Sequence, residues 1–358
     1  MAERPIPPAE TPWVEIALPL PLPQTFTYSI PKNFGRPLRL GDRVLVPFRK
    51  KRVTGFVVGF PERTERRDLR PLEERLDEGP LLTPLLLDLL RWASQYYLHP
   101  LGAVIKTALP AGLFGVRAAR ARQRPPSLHD EEDDPAERAS PPSLMPEQER
   151  ALREIEEARS AGGFHPFLLF GVTGSGKTEI YLRAIEAVRR GGRSAIVLVP
   201  EIALTPQLVR RFRERIEEPI AVQHSGLTRA ARLDQWRRIH AGELRIVIGV
   251  RSAVFSPVEK LGIVIVDEEH DGSYKQEEGL RYNARDVAVV RAKREGAIAL
   301  LGSATPSLES YHNAKSGRYR LLRLPSRVEK RPLPEIDLVD MRGRSGEGLH
   351  RIFSKVLL

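Results

Sequence analysis

One stretch, residues 168–181, constrains the fold of this chain more than any other, and it reads LLFGVTGSGKTEIY. An apolar run over residues 166–170 leads into GVTGSGKT at 171–178, which fits G-x-x-x-x-G-K-[ST], and helix-favouring residues follow. This order predicts a buried strand, a glycine loop and a helix. In such a loop the backbone N–H groups turn inward around phosphate oxygens, and the helix N-terminus adds partial positive charge. The stretch therefore predicts a nucleoside triphosphate site.

The glycine loop and the first helical residues supply the candidate nucleotide ligands. Lys177 is placed to reach the β and γ phosphates, and Thr178 offers a hydroxyl to Mg²⁺. The candidate nucleotide-binding residues of this stretch are Gly171, Thr173, Gly174, Ser175, Gly176, Lys177 and Thr178.

A second stretch, GIVIVDEEH at residues 262–270, reads as a buried strand that ends in carboxylates. Asp267, at the strand tip, is placed to hold Mg²⁺ with Thr178, and Glu268 can polarise the water that attacks the γ phosphate. The candidate catalytic residues are therefore Asp267, Glu268 and Lys177. The alternative is that these carboxylates only cap a following helix.

Composition sets broad limits on this chain. With 358 residues, 41% of them hydrophobic, it is long enough for two domains and a sizeable core. A net charge of +11 favours a polyanionic partner, although an arginine-rich composition can equally reflect the genome. No apolar run approaches a membrane span and the N-terminus lacks a signal-peptide layout, so we expect a cytoplasmic protein without a membrane partner. The absence of cysteine excludes disulfides and cysteine-ligated metals in this chain.

The hydrophobic pattern differs between two parts of the chain. Short apolar runs separated by turn residues predict a small all-β unit, with strands at 13–18, 26–30, 43–48 and 53–60, and a helix follows over 81–97. The acidic, proline-rich stretch 129–142 predicts a flexible linker. Alternating strands and helices from Ser143 onward predict an α/β domain with a parallel sheet covered on both faces. Its predicted strands are 167–170, 195–199, 220–223, 246–249, 263–266 and 298–302, and its helices 147–159, 179–190, 206–216, 231–241 and 284–294.

Two features of the first part could contact a polyanion, and each has a plain alternative. Residues 49–52 are four consecutive cations between two predicted strands, which form either a solvated turn or a phosphate contact. Trp92, Tyr96 and Tyr97 lie on or near the apolar face of the 81–97 helix, where aromatic residues belong either to a core or to a base-stacking platform.

Residues 273–285 follow directly on the carboxylates and have little apolar content. They interleave tyrosines with cations, a pattern that suits single-stranded DNA, where a stacked base contributes about 1–3 kcal/mol. A loop attached to the γ-phosphate sensor can move on hydrolysis, which would couple DNA contact to ATP turnover. An ordinary solvated connection is the alternative. The candidate DNA contacts of this loop are Tyr274, Lys275, Arg281, Tyr282 and Arg285.

Several motifs together resemble the first RecA-like lobe of a superfamily 2 helicase: besides the two stretches above, PEIALTPQ at 200–207, HSGL at 224–227, GVRSAV at 249–254 and GSATPS at 302–307. More narrowly, DEEHDGSYKQEEGLRYNARDVAVVR at 267–291 is similar to the aromatic-rich segment of the primosomal protein N′ family, the PriA replication-restart helicases. FTYSIP, GDRVLVPF, TGFVV and WASQYYLHPLGAVIKTALP resemble the 3′-DNA-end-binding domain of that family.

The resemblance implies a domain order. We expect a mainly-β 3′-DNA-end-binding domain at 1–115, a linker at 116–143 in which the family's winged helix is missing or reduced, a helicase ATP-binding lobe at 144–330, and the start of a second lobe at 331–358. A complete second lobe supplies an arginine that stabilises phosphoryl transfer. We therefore expect a fragment that binds ATP and DNA, does not unwind processively and is weak or inactive as an ATP-dependent helicase alone.

Further residues take their roles from the resemblance. Gln148 is similar to the glutamine that reads adenine, an exposed amphipathic glutamine being the alternative. Ser303 and Thr305 resemble the segment that relays nucleotide state to the DNA site, or else cap a helix. Thr205 and Arg251 resemble DNA-backbone contacts. The candidate DNA contacts in the first domain are Phe26, Tyr28, Gly41, Asp42, Lys50 and Lys51, with a turn role open for Asp42.

The implied function is that of an ATP-dependent 3′–5′ DNA helicase of replication restart, which recognises forks, binds the leading-strand 3′ end and initiates primosome assembly. Its cofactors would be ATP and Mg²⁺; zinc is expected for the family, but its cysteine ligands are absent here. Its partners would be forked and single-stranded DNA, other primosome proteins and single-stranded DNA-binding protein, at the nucleoid. Two alternatives remain: another superfamily 2 DNA translocase, or a fork-DNA-binding scaffold that hydrolyses nothing.

Overall fold

The first part of the molecule is a five-stranded antiparallel sheet in the order β2-β1-β4-β3-β5. The computed structural model describes residues 12–32, 34–64, 68–115 and 141–328. The pattern of apolar runs and turn residues predicted four of the strands, whereas β5 is too short to leave a strand pattern. The strands are β1 (Trp13–Ala17), β2 (Phe26–Ser29), β3 (Arg43–Phe48), β4 (Lys51–Gly59) and β5 (Glu74–Arg75).

Two helices, α1 (Pro84–Tyr96) and α2 (Leu101–Ala108), follow the sheet. The α1 helix begins where the Thr83 hydroxyl accepts a hydrogen bond from the backbone N–H of Leu86 at 3.2 Å. Its apolar face is buried in one hydrophobic cluster with residues of the following domain, including Val287. The N-terminal unit therefore packs directly on the domain that carries the glycine loop.

The second part is a seven-stranded sheet in which every recorded pairing is parallel, in the order β12-β6-β11-β10-β7-β9-β8. Because the strands are parallel, the loops after their carboxyl ends all lie at one edge, where ligands bind in such folds. The six predicted strands are present, and β12 is an additional edge strand. The strands are β6 (His165–Gly171), β7 (Ser194–Leu198), β8 (Ile220–Gln223), β9 (Ile246–Gly249), β10 (Leu261–Val266), β11 (Ile298–Ser303) and β12 (Arg320–Leu324).

Helices cover both faces of this sheet, which confirms the predicted α/β class. One buried cluster includes Ile155, Ile180 and Phe212 from helices on the first face, and another includes Trp236 and Val287 from helices on the second. The helices are α3 (Pro146–Ala161), α4 (Lys177–Arg190), α5 (Pro206–Arg213), α6 (Arg229–His240), α7 (Ala284–Glu295) and α8 (Leu308–Lys315).

Two expectations fall on parts of the chain beyond this description. Most of the predicted linker at 116–143 and all of the second-lobe segment at 331–358 lie outside the described residues, so these expectations and the domain boundaries stay predictions. None of the described helices combines the length and the apolar character that a bilayer-spanning helix requires.

Candidate functional site

The glycine loop between β6 and α4 is held in a conformation that only glycine adopts without strain. Gly174 and Gly176 both have φ of 78°, in the left-handed region. A Cβ atom at Gly176 would lie 2.3 Å from Nε2 of Gln148, so this backbone also approaches its neighbour too closely for a side chain. The predicted strand, loop and helix are therefore confirmed, with the helix N-terminus facing the loop.

Lys177 connects the glycine loop to the carboxylates after β10. Its buried ammonium group donates to the carbonyl of Gly171 at 3.1 Å, and Nζ lies 3.6 Å from Oε1 of Glu268. The predicted lysine and the predicted hydrolytic glutamate thus form an ion pair in the wall of one cleft. Glu268 has φ of 42°, a strained value for a residue with a side chain, and the strain is localised where the carboxylate meets the cleft.

Asp267 is oriented by a buried tyrosine. The hydroxyl of Tyr181, on α4, donates to Oδ1 of Asp267 at 2.8 Å. Burial and the adjacent Glu268 raise the pKa of Asp267 above its usual value, while the Tyr181 hydrogen bond and the charge of Lys177 oppose that shift. The sequence analysis did not single out Tyr181; its signal is a tyrosine on the apolar face of the helix that follows the glycine loop.

The cleft between these groups fits a nucleoside triphosphate with Mg²⁺. It has a volume of about 780 Å³, and the glycine loop, Thr178, Asp267 and Glu268 line it. The hydroxyl oxygen of Ser175 is buried there and has no hydrogen-bond partner among the described residues, so a bound phosphate or its water could satisfy it. Hydroxyl and carboxylate oxygens are the ligands that Mg²⁺ prefers. Within the described residues, no group of three or more His, Cys, Asp or Glu residues could hold another metal.

Gln148 supports the glycine loop. It is buried, its Nε2 donates to the carbonyl of Ser175 at 2.9 Å, and its Oε1 accepts from the N–H of Met145 at 2.8 Å. The alternative of an exposed amphipathic glutamine is therefore wrong. Gln148 also lines the cleft, and its role in reading adenine stays a prediction.

Glu269 is a functional candidate that the sequence analysis missed. It is 1% exposed and accepts hydrogen bonds from the N–H of Ser307 at 2.7 Å, the hydroxyl of Ser307 at 3.0 Å and that of Ser310 at 2.8 Å. Nη1 of Arg285 lies 3.3 Å from Oε2, the oxygen that also accepts from the two serine hydroxyls. This carboxylate therefore ties the acidic motif to the GSATPS motif and to the end of the tyrosine-bearing loop. Its signal in the sequence is that a third acidic residue directly follows Asp267 and Glu268.

His270 forms a second connection between the same two motifs. Its Nδ1 lies 2.8 Å from the hydroxyl of Ser303 and 3.7 Å from Oε2 of Glu268, and its Nε2 lies 3.3 Å from the hydroxyl of Thr305. Ser303 also accepts from the N–H of Thr305 at 2.9 Å. The two predicted coupling residues are thus in contact with a histidine that faces the hydrolytic glutamate.

Tyr274 and Tyr282 do not present their rings for stacking, which corrects the prediction for these two residues. They are 1% and 2% exposed, and the hydroxyl of Tyr274 donates to the carbonyls of Leu198 and Asp267. Tyr282 packs against Phe255, with ring centroids 5.2 Å apart. These rings hold the loop on the sheet edge, and burial raises the pKa of both phenols.

The cations of the loop behave differently from its tyrosines. Lys275 and Arg281 are exposed. Arg251 donates to the carbonyls of Ser273 and Lys275 at 3.2 and 3.3 Å, so it fixes the loop from the neighbouring strand end. Thr205 is exposed and caps α5 by accepting from the N–H of Leu208. A DNA contact by any of these side chains stays a prediction.

Comparison with known proteins identifies the family. A family model described as a 3′ DNA-binding domain (3′BD) of PriA matches residues 15–110, and the DEAD/DEAH box helicase model matches residues 145–314. The replication restart protein PriA of Bacillus subtilis is 47% identical over 256 residues, covering 72% of this chain and 31% of that protein. The PriA protein of Haemophilus influenzae is 34% identical over an alignment of 398 positions, gaps included, which covers 93% of this chain and 54% of that protein.

This chain belongs to the PriA family. It spans about half the length, or less, of these PriA proteins. Among solved structures, RecG bound to a three-way DNA junction matches with a TM-score of 0.41 at 25% identity, covering 55% of this chain and 25% of RecG. A superposition this loose supports no conclusion about activity.

In the domain that matches the PriA 3′BD model, two candidate DNA contacts are structural. Tyr28 is buried, with its hydroxyl donating to the carbonyl of Pro47 at 3.1 Å, which corrects its prediction as an accessible contact. Asp42 is fully buried and accepts from the N–H of Arg39 at 2.7 Å, and Arg75 pairs with it, so the turn role applies.

The other candidates of this PriA domain include its exposed cations. Lys50 and Lys51 lie exposed at the turn between β3 and β4. The half-buried ring of Phe26 packs edge-on against Phe48 at 5.1 Å. Gly41 has φ of 84°, and a Cβ there would lie 1.9 Å from the carbonyl oxygen of Leu82, so this glycine is required by packing.

Proposed function

We propose that this chain carries the ATP- and DNA-binding part of an ATP-dependent 3′–5′ DNA helicase that restarts stalled replication forks. The observation that supports this most is the ion pair of Lys177, whose ammonium group lies 3.6 Å from Glu268 in the glycine-lined cleft. That pair brings a phosphate-binding cation and a hydrolytic carboxylate to one site, where the γ phosphate of a triphosphate would replace the carboxylate as the partner of Lys177.

Each residue of the cleft has its own role in ATP hydrolysis. The inward N–H groups after Gly174 and the ammonium of Lys177 bind the phosphates. Thr178 and Asp267 would hold Mg²⁺, which when bound neutralises charge between the β and γ phosphates. Glu268 orients the attacking water and accepts its proton. Tyr181 keeps Asp267 in position through its hydrogen bond.

Nucleotide state is passed on through the two contacts between the acidic motif and the GSATPS motif. His270 lies between Glu268 and the hydroxyls of Ser303 and Thr305, and Glu269 holds the start of α8 through Ser307. A shift of Glu268 after loss of the γ phosphate would therefore change the hydrogen bonds of both motifs. Arg285 carries the same change into the tyrosine-bearing loop.

DNA is the polyanion that this arrangement would act on. The first domain would bind the 3′ end of the leading strand, with Lys50 and Lys51 exposed to reach phosphates. The loop cations Lys275 and Arg281 lie exposed in the segment after the hydrolytic carboxylates. Unwinding and primosome assembly belong to the proposal for the whole protein, because the chain spans about half of its PriA relatives or less.

Fork substrates with and without a free leading-strand 3′ end test the restart function. We expect tighter binding to the fork that has the end, and, in a longer protein that adds a complete second lobe to this chain, phosphate release from ATP that DNA stimulates and that Lys177→Ala abolishes. Equal affinity for both forks would instead favour another superfamily 2 translocase. DNA binding with no difference in phosphate release between that longer protein and its Lys177→Ala variant would favour a scaffold without useful ATPase activity.

A further inference from the structure

An exposed aromatic cluster stands at the C-terminal end of α1. Tyr96 stacks on Trp92 with ring centroids 5.1 Å apart and an angle of 23° between the rings, yet its side chain is 63% exposed. Tyr97 packs edge-on against both, at 4.9 Å from Tyr96 and 6.0 Å from Trp92. The next residue, Leu98, is 91% exposed. Trp92 and Tyr97 pack against the core, but a core role does not explain Tyr96, because a core residue would not leave the outer face of its ring in water.

The exposed cations of the tyrosine-bearing loop lie beside this aromatic cluster. The ammonium of Lys275 is 5.9 Å from the ring centroid of Tyr97 and donates to the carbonyl of Arg281 at 2.8 Å. The hydroxyl of Tyr97 accepts a hydrogen bond from the N–H of Asn283 at 3.2 Å, which fixes the cluster against the end of the same loop. Tyr97, Lys275 and Asn283 therefore join the aromatic cluster of the first domain to the tyrosine-bearing loop of the second.

We propose that the aromatic cluster of Trp92, Tyr96 and Tyr97, with Lys275 and Arg281, binds single-stranded DNA. One base stacks on the outer face of Tyr96 and so extends the stack begun by Trp92, and the adjacent phosphates lie near the two cations. Rings that are already stacked lose little conformational freedom on binding, and every base offers a face to stack on, so the contact does not depend on sequence. Lys275 and Arg281 are exposed cations that favour phosphates as the neighbours of the stacked base, while the exposed Glu277 and Glu278 lie between them in the chain, so the stack on Tyr96 carries most of the contact.

This DNA contact would also be connected structurally to the nucleotide cleft. The loop that Tyr97 and Lys275 hold together contains Tyr274, whose hydroxyl donates to the backbone carbonyl of Asp267 at 2.5 Å. Strand binding at the cluster thus acts on a loop that is bonded to the backbone of the Mg²⁺-binding residue. The proposal rests on the DNA-binding function proposed above and names one surface that performs it.

Binding of a fluorescent oligodeoxythymidine to the full chain tests this surface. Tyr96→Ala removes the stacking face, and we expect affinity to fall about 5- to 100-fold, the range of one lost base stack. Tyr96→Phe keeps the ring and should stay within about twofold of the original chain. Leu85→Ala is the matched control: it removes an exposed apolar side chain that is 47% exposed on the same helix, about 16 Å away along the axis. The melting temperature of each variant checks that the fold is kept.

The outcomes separate this proposal from the proposed function. If the original chain binds the oligonucleotide and Tyr96→Ala binds it as tightly as Leu85→Ala does, the cluster is not a DNA contact, and its exposed face suits a protein partner instead. A loss of affinity equal in Tyr96→Phe and Tyr96→Ala would also overturn ring stacking. If the original chain binds no DNA at all, the proposed function fails together with this surface.

Discussion

The phenol of Tyr181 donates a hydrogen bond to Oδ1 of Asp267 at 2.8 Å, in a fully buried position under the nucleotide cleft. The helix after the glycine loop and the strand before the carboxylates are thereby joined at the residue that would hold Mg²⁺. A carboxylate that is oriented in advance loses less freedom when it binds a cation. This hydrogen bond therefore fixes Asp267 relative to the glycine loop and its helix, so that both sides of the cleft can bind the same Mg²⁺ ion.

Tyr181→Phe should weaken the use of Mg²⁺ while preserving the fold. The ring still fills its buried position, but Asp267 loses a hydrogen bond that orients it, and such losses cost about 10- to 100-fold in metal affinity or activity. The measurement is the affinity for ATP as a function of Mg²⁺ concentration. Tyr28→Phe removes a buried phenol in the other domain and serves as the control. An unchanged half-saturating Mg²⁺ concentration in Tyr181→Phe would contradict the role given to the bond.

Gly302→Ala should disturb the same hydrogen bond between Tyr181 and Asp267, because the new methyl group would press on the Tyr181 hydroxyl. A Cβ at Gly302 would lie 1.7 Å from the hydroxyl oxygen of Tyr181, so one of the two residues must move. We expect a destabilisation of about 1–3 kcal/mol, as for other overpacked cores, measured by denaturant unfolding. The added cost of Gly302→Ala should be smaller when Tyr181→Phe is already present, because the clashing oxygen is gone. Strict additivity of the two substitutions would show that they do not interact.

Glu269→Gln should lower stability more than a surface change of the same kind. The buried carboxylate accepts three hydrogen bonds from Ser307 and Ser310 and faces Arg285. In glutamine an NH₂ group replaces one carboxylate oxygen, so it would face N–H or O–H groups that need an acceptor. We expect a loss of about 2–3 kcal/mol in the free energy of unfolding. Glu309→Gln, on the exposed first turn of α8, is the control and should cost less than about 1 kcal/mol. Similar values for both would remove the structural role assigned to Glu269.

The salt dependence of DNA binding identifies which cations touch phosphates. Neutral substitution of a contacting residue should flatten the slope of log K against log salt concentration by about one unit. We expect this for Lys50, Lys51, Lys275 and Arg281. Lys260→Gln is a control, since Lys260 is exposed just before β10, at the amino edge of the sheet and away from the cleft. Any candidate whose substitution leaves the slope unchanged does not contact DNA.

The pattern of apolar residues in the sequence predicted most strands and helices of the ATP-binding lobe, because parallel strands buried on both faces leave continuous apolar runs. The glycine loop and the acidic motif could be placed for a further reason: a parallel sheet brings the ends of β6 and β10 to one edge whatever their separation along the chain. What the pattern did not contain was which side chains meet there. Tyr181, Glu269 and His270 became visible only with the contacts in three dimensions.

The tyrosines show most clearly that the sequence pattern does not predict which aromatic residues are buried. Tyr274 and Tyr282 stand in a polar, cationic stretch, so exposure was the natural expectation, but the loop folds back and the carbonyl of Leu198 satisfies the Tyr274 hydroxyl. Tyr96 stands on an apolar helix face, so a core role was equally natural, but the helix ends there and its ring is exposed. Burial of an aromatic residue depends on what packs over it, and local sequence does not carry that information.

Affinity for ATP with Mg²⁺, measured by titration calorimetry on the original chain and on Lys177→Ala, tests the central claim most directly. If the triphosphate lies between the glycine loop and the carboxylates after β10, the original chain binds it and Lys177→Ala binds it about 10- to 100-fold more weakly, since a charge-assisted contact is lost. Equal affinity of the two proteins would contradict a site built around Lys177.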